Sequence, residues 1–114
     1  MPACLFCAIA SGQSPSSIVH QDDLVTAFRD TNPQAPTHVL VIPNEHIASL
    51  TEIGEAQAGL LGRLFAVANQ VAAQDGIAAG GYRVVINAGR DGGQTVQHLH
   101  LHVLGGRRFH WPPG

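Results

Sequence analysis

The alternation of apolar and polar positions divides the chain into short strands around one long helix. Leu5 to Ala10 is an apolar run ending at Ser11-Gly12, long enough for one or two helical turns, and Ser14-Pro15-Ser16 marks a turn. Ile18 to His20 and Leu24 to Phe28 read as two strands around a turn at Gln21-Asp22-Asp23. Thr31 to Thr37 holds Pro33 and Pro36 and is expected as a loop. His38 to Ile42 is a third strand that Pro43 ends. Next, Gln57, Leu60, Leu61, Leu64, Ala68 and Val71 recur at helical spacing, and Phe65 and Val67 widen the stripe. Ser49 or Thr51 is expected to cap this helix, with Glu52 and Glu55 in its first turns and Gly76 as its stop. Tyr82 to Asn87 is a fourth strand, Gly89 to Gly93 a flexible turn and Val96 to Leu104 a fifth strand. The pattern predicts one domain over residues 1–114, an α+β fold with a mostly antiparallel sheet and the helix on one face.

Composition narrows the function classes. Of the 114 residues, 12% are charged and 45% hydrophobic, so some surface is expected to be covered, a second copy of the chain being the simplest cover. A formal charge of −2 argues against a broad nucleic-acid footprint but leaves room for a pocket that takes one phosphate. No apolar run approaches the ~20 residues a bilayer span needs. The N-terminus lacks a basic segment followed by a long apolar one, so a cytoplasmic location is expected.

The richest segment is His98-Leu99-His100-Leu101-His102-Val103-Leu104. Side chains alternate along a strand, so the three histidines share one face at a spacing of ~6.6 Å, and Leu99, Leu101 and Val103 share the other. Chance surface histidines would not keep such strict alternation. A metal cluster is a competing reading, because His-x-His is a good ligand spacing. Just upstream lies Asn87-Ala88-Gly89-Arg90-Asp91-Gly92-Gly93-Gln94-Thr95. Gly92 and Gly93 let backbone approach a ligand and form an anion nest, and Gln94 and Thr95 add side-chain donors. Beside the histidine row, this segment reads as the wall of a phosphate pocket. Separately, Cys4-Leu5-Phe6-Cys7 has half-site zinc spacing, and the same spacing suits a redox pair or two buried thiols.

The histidine run resembles the signature of the histidine triad (HIT) family, His-φ-His-φ-His-φ-φ, where φ is apolar. The resemblance extends over nearly the whole chain. Ala35-Pro36-Thr37-His38-Val39-Leu40-Val41-Ile42-Pro43, Asp91-Gly92-Gly93-Gln94 and the ending His110-Trp111-Pro112-Pro113-Gly114 are similar to the family's nucleotide-binding (Hint) branch. The Trp-Pro-Pro-Gly ending separates that branch from the dinucleoside polyphosphate hydrolases.

The resemblance implies a HIT-like fold with a short N-terminal helix and a homodimer whose sheets join. It implies a purine nucleoside phosphoramidase of the adenosine 5'-monophosphoramidase type, acting on AMP- and GMP-related substrates without a catalytic metal. It makes His100 the nucleophile, puts His102 on the phosphate and gives His38 a place in the catalytic hydrogen-bond network. Asn87, Gln94 and Thr95, beside Gly93, would bind phosphate or leaving group. Asp30 would take the ribose hydroxyls. Leu5, Phe6, Ile9, Phe28 and Thr31 would enclose the base, and Trp111 would reach the partner's pocket. The family often has Ser where Thr95 stands and a β-branched aliphatic where Thr31 stands. Some members hold zinc with two cysteines, a histidine after the Ile-Pro strand and the first triad histidine; here these are Cys4, Cys7, His46 and His98, a closed structural site.

The chemistry is consistent with this on its own terms. A neutral imidazole can attack phosphorus and form a nucleotidyl-histidine, provided its other ring nitrogen donates to a fixed acceptor such as a backbone carbonyl. Competing expectations are a nucleotide-binding regulatory or scaffold protein and a dinucleoside polyphosphate hydrolase.

Overall fold

A computed structural model describes residues 4–114. The elements run α1 (Leu5–Ala10), β1 (Ile18–Gln21), β2 (Val25–Arg29), β3 (Thr37–Pro43), α2 (Ala58–Gln74), β4 (Tyr82–Val85), α3 (Gly89–Gly92) and β5 (Leu101–Gly105). The five strands form one sheet in the order β1-β2-β3-β5-β4, and every neighbouring pair is antiparallel. The expected α+β architecture is therefore present, with five strands, one long helix and a short N-terminal one.

The two sheet faces carry different cores. Val25, Ala27, Val39, Val41, Leu101 and Val103 pack with Leu64, Val67, Ala68, Val71 and Ala72 of α2. Phe28, Leu40 and Ile42 point the other way and pack with Phe6 and Ile9 of α1. Each fully buried Val or Leu contributes about 1.5–3 kcal/mol. That packing holds α2 in place despite Gly59 and Gly62 within it and despite the lack of a side-chain cap at Gln57.

Several local expectations need correction. Neither Ser49 nor Thr51 caps the long helix. The segment first makes two 3₁₀ turns, Leu50–Glu52 and Glu55–Gln57, and α2 begins only at Ala58. Gly54 is the cause: its extended backbone interrupts the helix, and its N–H donates to the Gln57 side chain at 2.8 Å. Gly76 does stop the helix, in a left-handed conformation with φ 73°. Val67, counted from the sequence as part of a wider stripe, is wholly inside the core, whereas Phe65 stays 40% exposed. The fourth strand is shorter than expected, ending at Val85.

The fifth strand is the most informative correction. It begins at Leu101, so His98 and His100 precede it. The β3–β5 ladder ends at Val41 opposite Leu101. The next pairing would need an N–H from Pro43, which has none. Leu99 N–H turns instead to the Ile47 carbonyl at 2.6 Å. The chain thus leaves the sheet between the first and last histidines of the row.

Candidate active site

The histidines sit on the α1 side of the sheet. Phe6 of α1 meets the His100 ring edge-on at 5.2 Å and the His98 ring at 5.9 Å. The His100 and His102 rings are 4.9 Å apart between centroids, edge to face.

The hydrogen bonds fix which nitrogen of each ring carries the proton. His100 Nδ1 lies 2.7 Å from the carbonyl oxygen of His98. A carbonyl only accepts, so Nδ1 holds the proton and the Nε2 lone pair is left free. His38 Nδ1 accepts from the Gln34 backbone N–H at 3.0 Å, which places the His38 proton on Nε2. That N–H donates to His102 Nδ1 at 2.9 Å, so neutral His102 carries its proton on Nε2. His102 is held neutral: burial, with His100 and His38 nearby, depresses its pKa to about 4. Burial also lowers His38, opposed by the Asp30 carboxylate 3.4 Å from its Nε2. Asp30, His38 and His102 lie close enough together to suggest a metal site. The Gln34 N–H argues against one, since a ligating His38 Nε2 would have to give up its proton.

His100 and His102 line a cleft of about 260 Å³. Leu5, Phe6, Ile9, Phe28, Asp30, Thr31 and Thr95 line it too, as expected from sequence. Ser16, Arg29, Leu40 and Val96 also line it and were not foreseen. Leu40 was the findable one, because it lies two residues after His38 on β3 and pairs with His102 across the sheet. His38 is buried behind His102. A wider recess of about 560 Å³, at the turn between α2 and β4, is lined by glycines, Ile77, Arg107 and Arg108 and contains no histidine.

The glycine segment differs from expectation. Gly89–Gly92 forms one helical turn, and Gly93 ends it at φ 81°. The N–H groups of Gly93 and Gln94 close that turn on the carbonyls of Arg90 and Gly89, at 3.1 and 3.0 Å. These two N–H groups are spent within the turn and are not free to cradle an anion. The Gln94 side chain is buried. Its amide donates to the carbonyls of Ala48 and Val96 at 2.7 and 2.9 Å and accepts from Gly89 N–H at 3.0 Å. Asn87, Gly93, Gln94 and Trp111 are not among the residues lining the cleft, and Trp111 is 83% exposed.

A second cluster adjoins the first. Sγ of Cys4 and Cys7 and Nδ1 of His46 and His98 converge, with Sγ···N separations of 3.3–3.5 Å. A tetrahedral zinc with ordinary bond lengths holds S and N ligands roughly 3.5 Å apart. His98 Nε2 donates to the Pro43 carbonyl at 2.9 Å, which leaves Nδ1 as the ligating nitrogen. Burial and the neighbouring Cys4 raise the Cys7 thiol pKa, and a bound cation would offset that cost of ionising it. The residues fit a structural zinc.

Comparison with known proteins agrees with this geometry. The HIT domain family matches residues 11–109. This chain belongs to the HIT family. It is 52% identical to a purine nucleoside phosphoramidase of Escherichia coli K12 over 103 residues, 90% of this chain and 87% of that protein. It is also 52% identical to an uncharacterized HIT-like protein of Synechococcus elongatus, over 96% of each chain. Among solved structures, a HIT family hydrolase from Legionella pneumophila superposes with a TM-score of 0.96 at 46% identity, covering 98% of this chain and 100% of that one. A histidine triad protein from Clostridium difficile gives 0.90 at 43%, over 96% of each.

Proposed function

We propose that this HIT protein hydrolyses the P–N bond of purine nucleoside phosphoramidates through a nucleotidyl-histidine at His100. The observation that carries the reading is the His100 Nδ1–H bond to the His98 carbonyl, which leaves the Nε2 lone pair available in a cleft with an apolar end. The similarity to the Escherichia coli phosphoramidase supports the choice of substrate class.

In the first step Nε2 attacks phosphorus and the P–N bond breaks. The departing nitrogen takes a proton from water and leaves as an amine. In the second step water attacks the same phosphorus and gives up a proton, which neutralises the hydroxide left by the first step; the P–Nε2 bond breaks, and nucleoside monophosphate and the free imidazole result. The His102 Nε2–H donates to the non-bridging oxygens as negative charge gathers on them. His100 is able to carry positive charge during the intermediate because its Nδ1–H stays on the carbonyl. Leu5, Phe6, Ile9, Phe28 and Thr31 enclose the base. This apolar wall reads ring shape, so AMP and GMP both bind. Asp30 accepts from the ribose hydroxyls with the lone pairs not used by Asn32 N–H. Thr95 contacts the phosphate.

We also propose that Cys4, Cys7, His46 and His98 hold a structural zinc, that the chain works as a homodimer and that it acts in the cytoplasm. Zinc would tie α1 to the sheet and supply no step of the reaction.

The test is turnover of a fluorogenic adenosine phosphoramidate by wild type and H100A. The variant should lose about a thousandfold or more in rate while binding AMP within a few-fold of wild type. An acid quench of wild type should trap protein-bound nucleotide. Wild-type turnover in H100A would overturn the nucleophile.

A further inference from the structure

Arg107 lies outside the cleft yet is bonded to the loop that sets the protonation pattern inside it. Its Nε donates to the Gln34 carbonyl at 2.9 Å. The N–H of the same residue is the donor to His38 Nδ1, and His38 in turn donates to His102. Four residues thus form one continuous path, from a guanidinium at the surface to the imidazole beside the nucleophile.

The surroundings hold Arg107 in this position. Gly106 leaves β5 at φ 88°, and a Cβ there would come within 2.8 Å of Pro36, so the chain turns closely against the Gln34 loop. The guanidinium carbon lies 4.1 Å from the Phe109 ring centroid, in cation–π contact. Arg83 lies over the same ring at 5.1 Å and donates to the His110 carbonyl at 2.9 Å. The other anchors of the loop act on different atoms: Asp30 accepts from Asn32 N–H, and the Gln34 side chain donates to the Asn32 carbonyl. Among the described residues, Arg107 alone bonds the Gln34 carbonyl.

We infer that Arg107 is a positioning residue: by gripping the Gln34 carbonyl it keeps the Gln34 N–H aimed at His38 Nδ1, which imposes the Nε2–H tautomer on His38 and then on His102. The physical reason is the softness of the alternative. A neutral imidazole can carry its proton on either nitrogen, and the choice follows the hydrogen bond made by the other. The gripped carbonyl and the N–H lie in adjacent peptide units joined at the Gln34 Cα, so if the backbone torsions at Gln34 shift, the N–H leaves His38 Nδ1 and His38 can protonate there. His102 Nδ1 then loses its donor, and the Nε2–H of His102 is no longer fixed.

This inference rests on the proposed reaction only for its effect on rate; the tautomer itself can be read directly. The experiment records nitrogen-15 imidazole spectra of intact wild type, R107A and R107K, with turnover and AMP affinity measured in parallel. Wild type should show His38 and His102 as single Nε2–H tautomers. R107A should show mixed tautomers at both rings, a fall in kcat of about tenfold, the order expected for losing one charge-assisted hydrogen bond, and KM within about twofold. R107K, which keeps one cationic donor, should recover the wild-type tautomers and part of the rate. Unchanged tautomers in R107A would overturn the inference whatever happens to the rate. Mixed tautomers with an unchanged kcat would overturn it as well, because positioning would then have no catalytic consequence. Wild type inactive on phosphoramidates would instead overturn the proposed function, and the spectra would still decide the tautomer claim.

Discussion

The carbonyl oxygen of His98 accepts a hydrogen bond from Nδ1 of His100, two residues later, at 2.7 Å. One residue therefore serves two sites. Its imidazole Nδ1 faces Cys4 and Cys7, and its backbone orients the candidate nucleophile. The bend that makes this possible comes from Pro43, which ends the ladder and frees residues 98–100 from the regular strand.

If zinc is held there, this linkage predicts that its loss is felt at the ring of the candidate nucleophile. Protein purified without chelator should carry about one zinc per chain. C4S or C7S should lose the metal and lower the melting temperature. Amide exchange should rise in α1, whose Phe6 packs against His100. Metal analysis and hydrogen exchange check these outcomes. A metal-free wild type whose stability ignores chelators would reject the zinc.

Stability should depend on pH through the buried histidines. His102 is depressed from 6.5 to about 4 in the folded chain, and His38 is shifted in the same direction. Between pH 6.5 and 4 the unfolded chain therefore binds more protons than the folded one, so stability rises with pH across that window and is lost as pH falls through it. Asp22 and Asp75 are lowered from 3.8, by His20 and Arg29 respectively, so the stability they confer is lost only at more acidic pH. Melting temperatures measured from pH 7 to 4.5 should fall steadily in wild type and less steeply in H102N. Parallel slopes would show that His102 is not the proton-linked group.

The Gln94 amide should behave as a brace. Removing it takes the Gln94 partner from the Ala48 and Val96 carbonyls and the Gly89 N–H in a partly buried place. Q94A should cost about 2–3 kcal/mol in chemical denaturation, within the range for stranded buried polar groups. A loss under 0.5 kcal/mol, the usual scale of a surface change, would mean the side chain is free to face a ligand.

Much of the fold was legible in the residues. The apolar runs located all five strands: β3 is buried throughout, β2 and β5 carry buried residues, and the edge strands β1 and β4 still pack half-buried Val19, Tyr82 and Val84 on the core; the helical stripe located α2 because its apolar residues meet the sheet. The site was legible wherever residue type and position set the chemistry: the histidine row, Asp30 and the apolar residues of α1. The sequence did not reveal where amide groups point. Gln94 and the Gly93 N–H have the right chemistry for a phosphate, but the turn and the Ala48 carbonyl claim them first. The helix start failed for a similar reason: Ser49 and Thr51 suit a cap, but Gly54 stands between them and the helical run.

The last prediction concerns the dimer and the tail. Phe65 is 40% exposed on α2 and Trp111 is 83% exposed, while Val67, which widened the apolar stripe, is already inside the core. The apolar surface left on α2 is therefore small, and the proposed dimer would draw on more than that helix. Edge strand β4 offers unpaired backbone groups for a sheet continued across a two-fold axis. In the proposed dimer Trp111 sets an aromatic wall beside the partner's leaving group, where it favours flat or apolar amines. Deleting residues 110–114 should then change kcat/KM ratios among amines by about tenfold, the scale of one good aromatic contact, with AMP affinity nearly unchanged. The measurements are turnover on a series of amines, calorimetric AMP binding and size by light scattering, in intact and truncated protein. A monomeric intact chain would remove the dimer. Unchanged amine preference in a dimeric truncation would leave Trp111 without a role at the site.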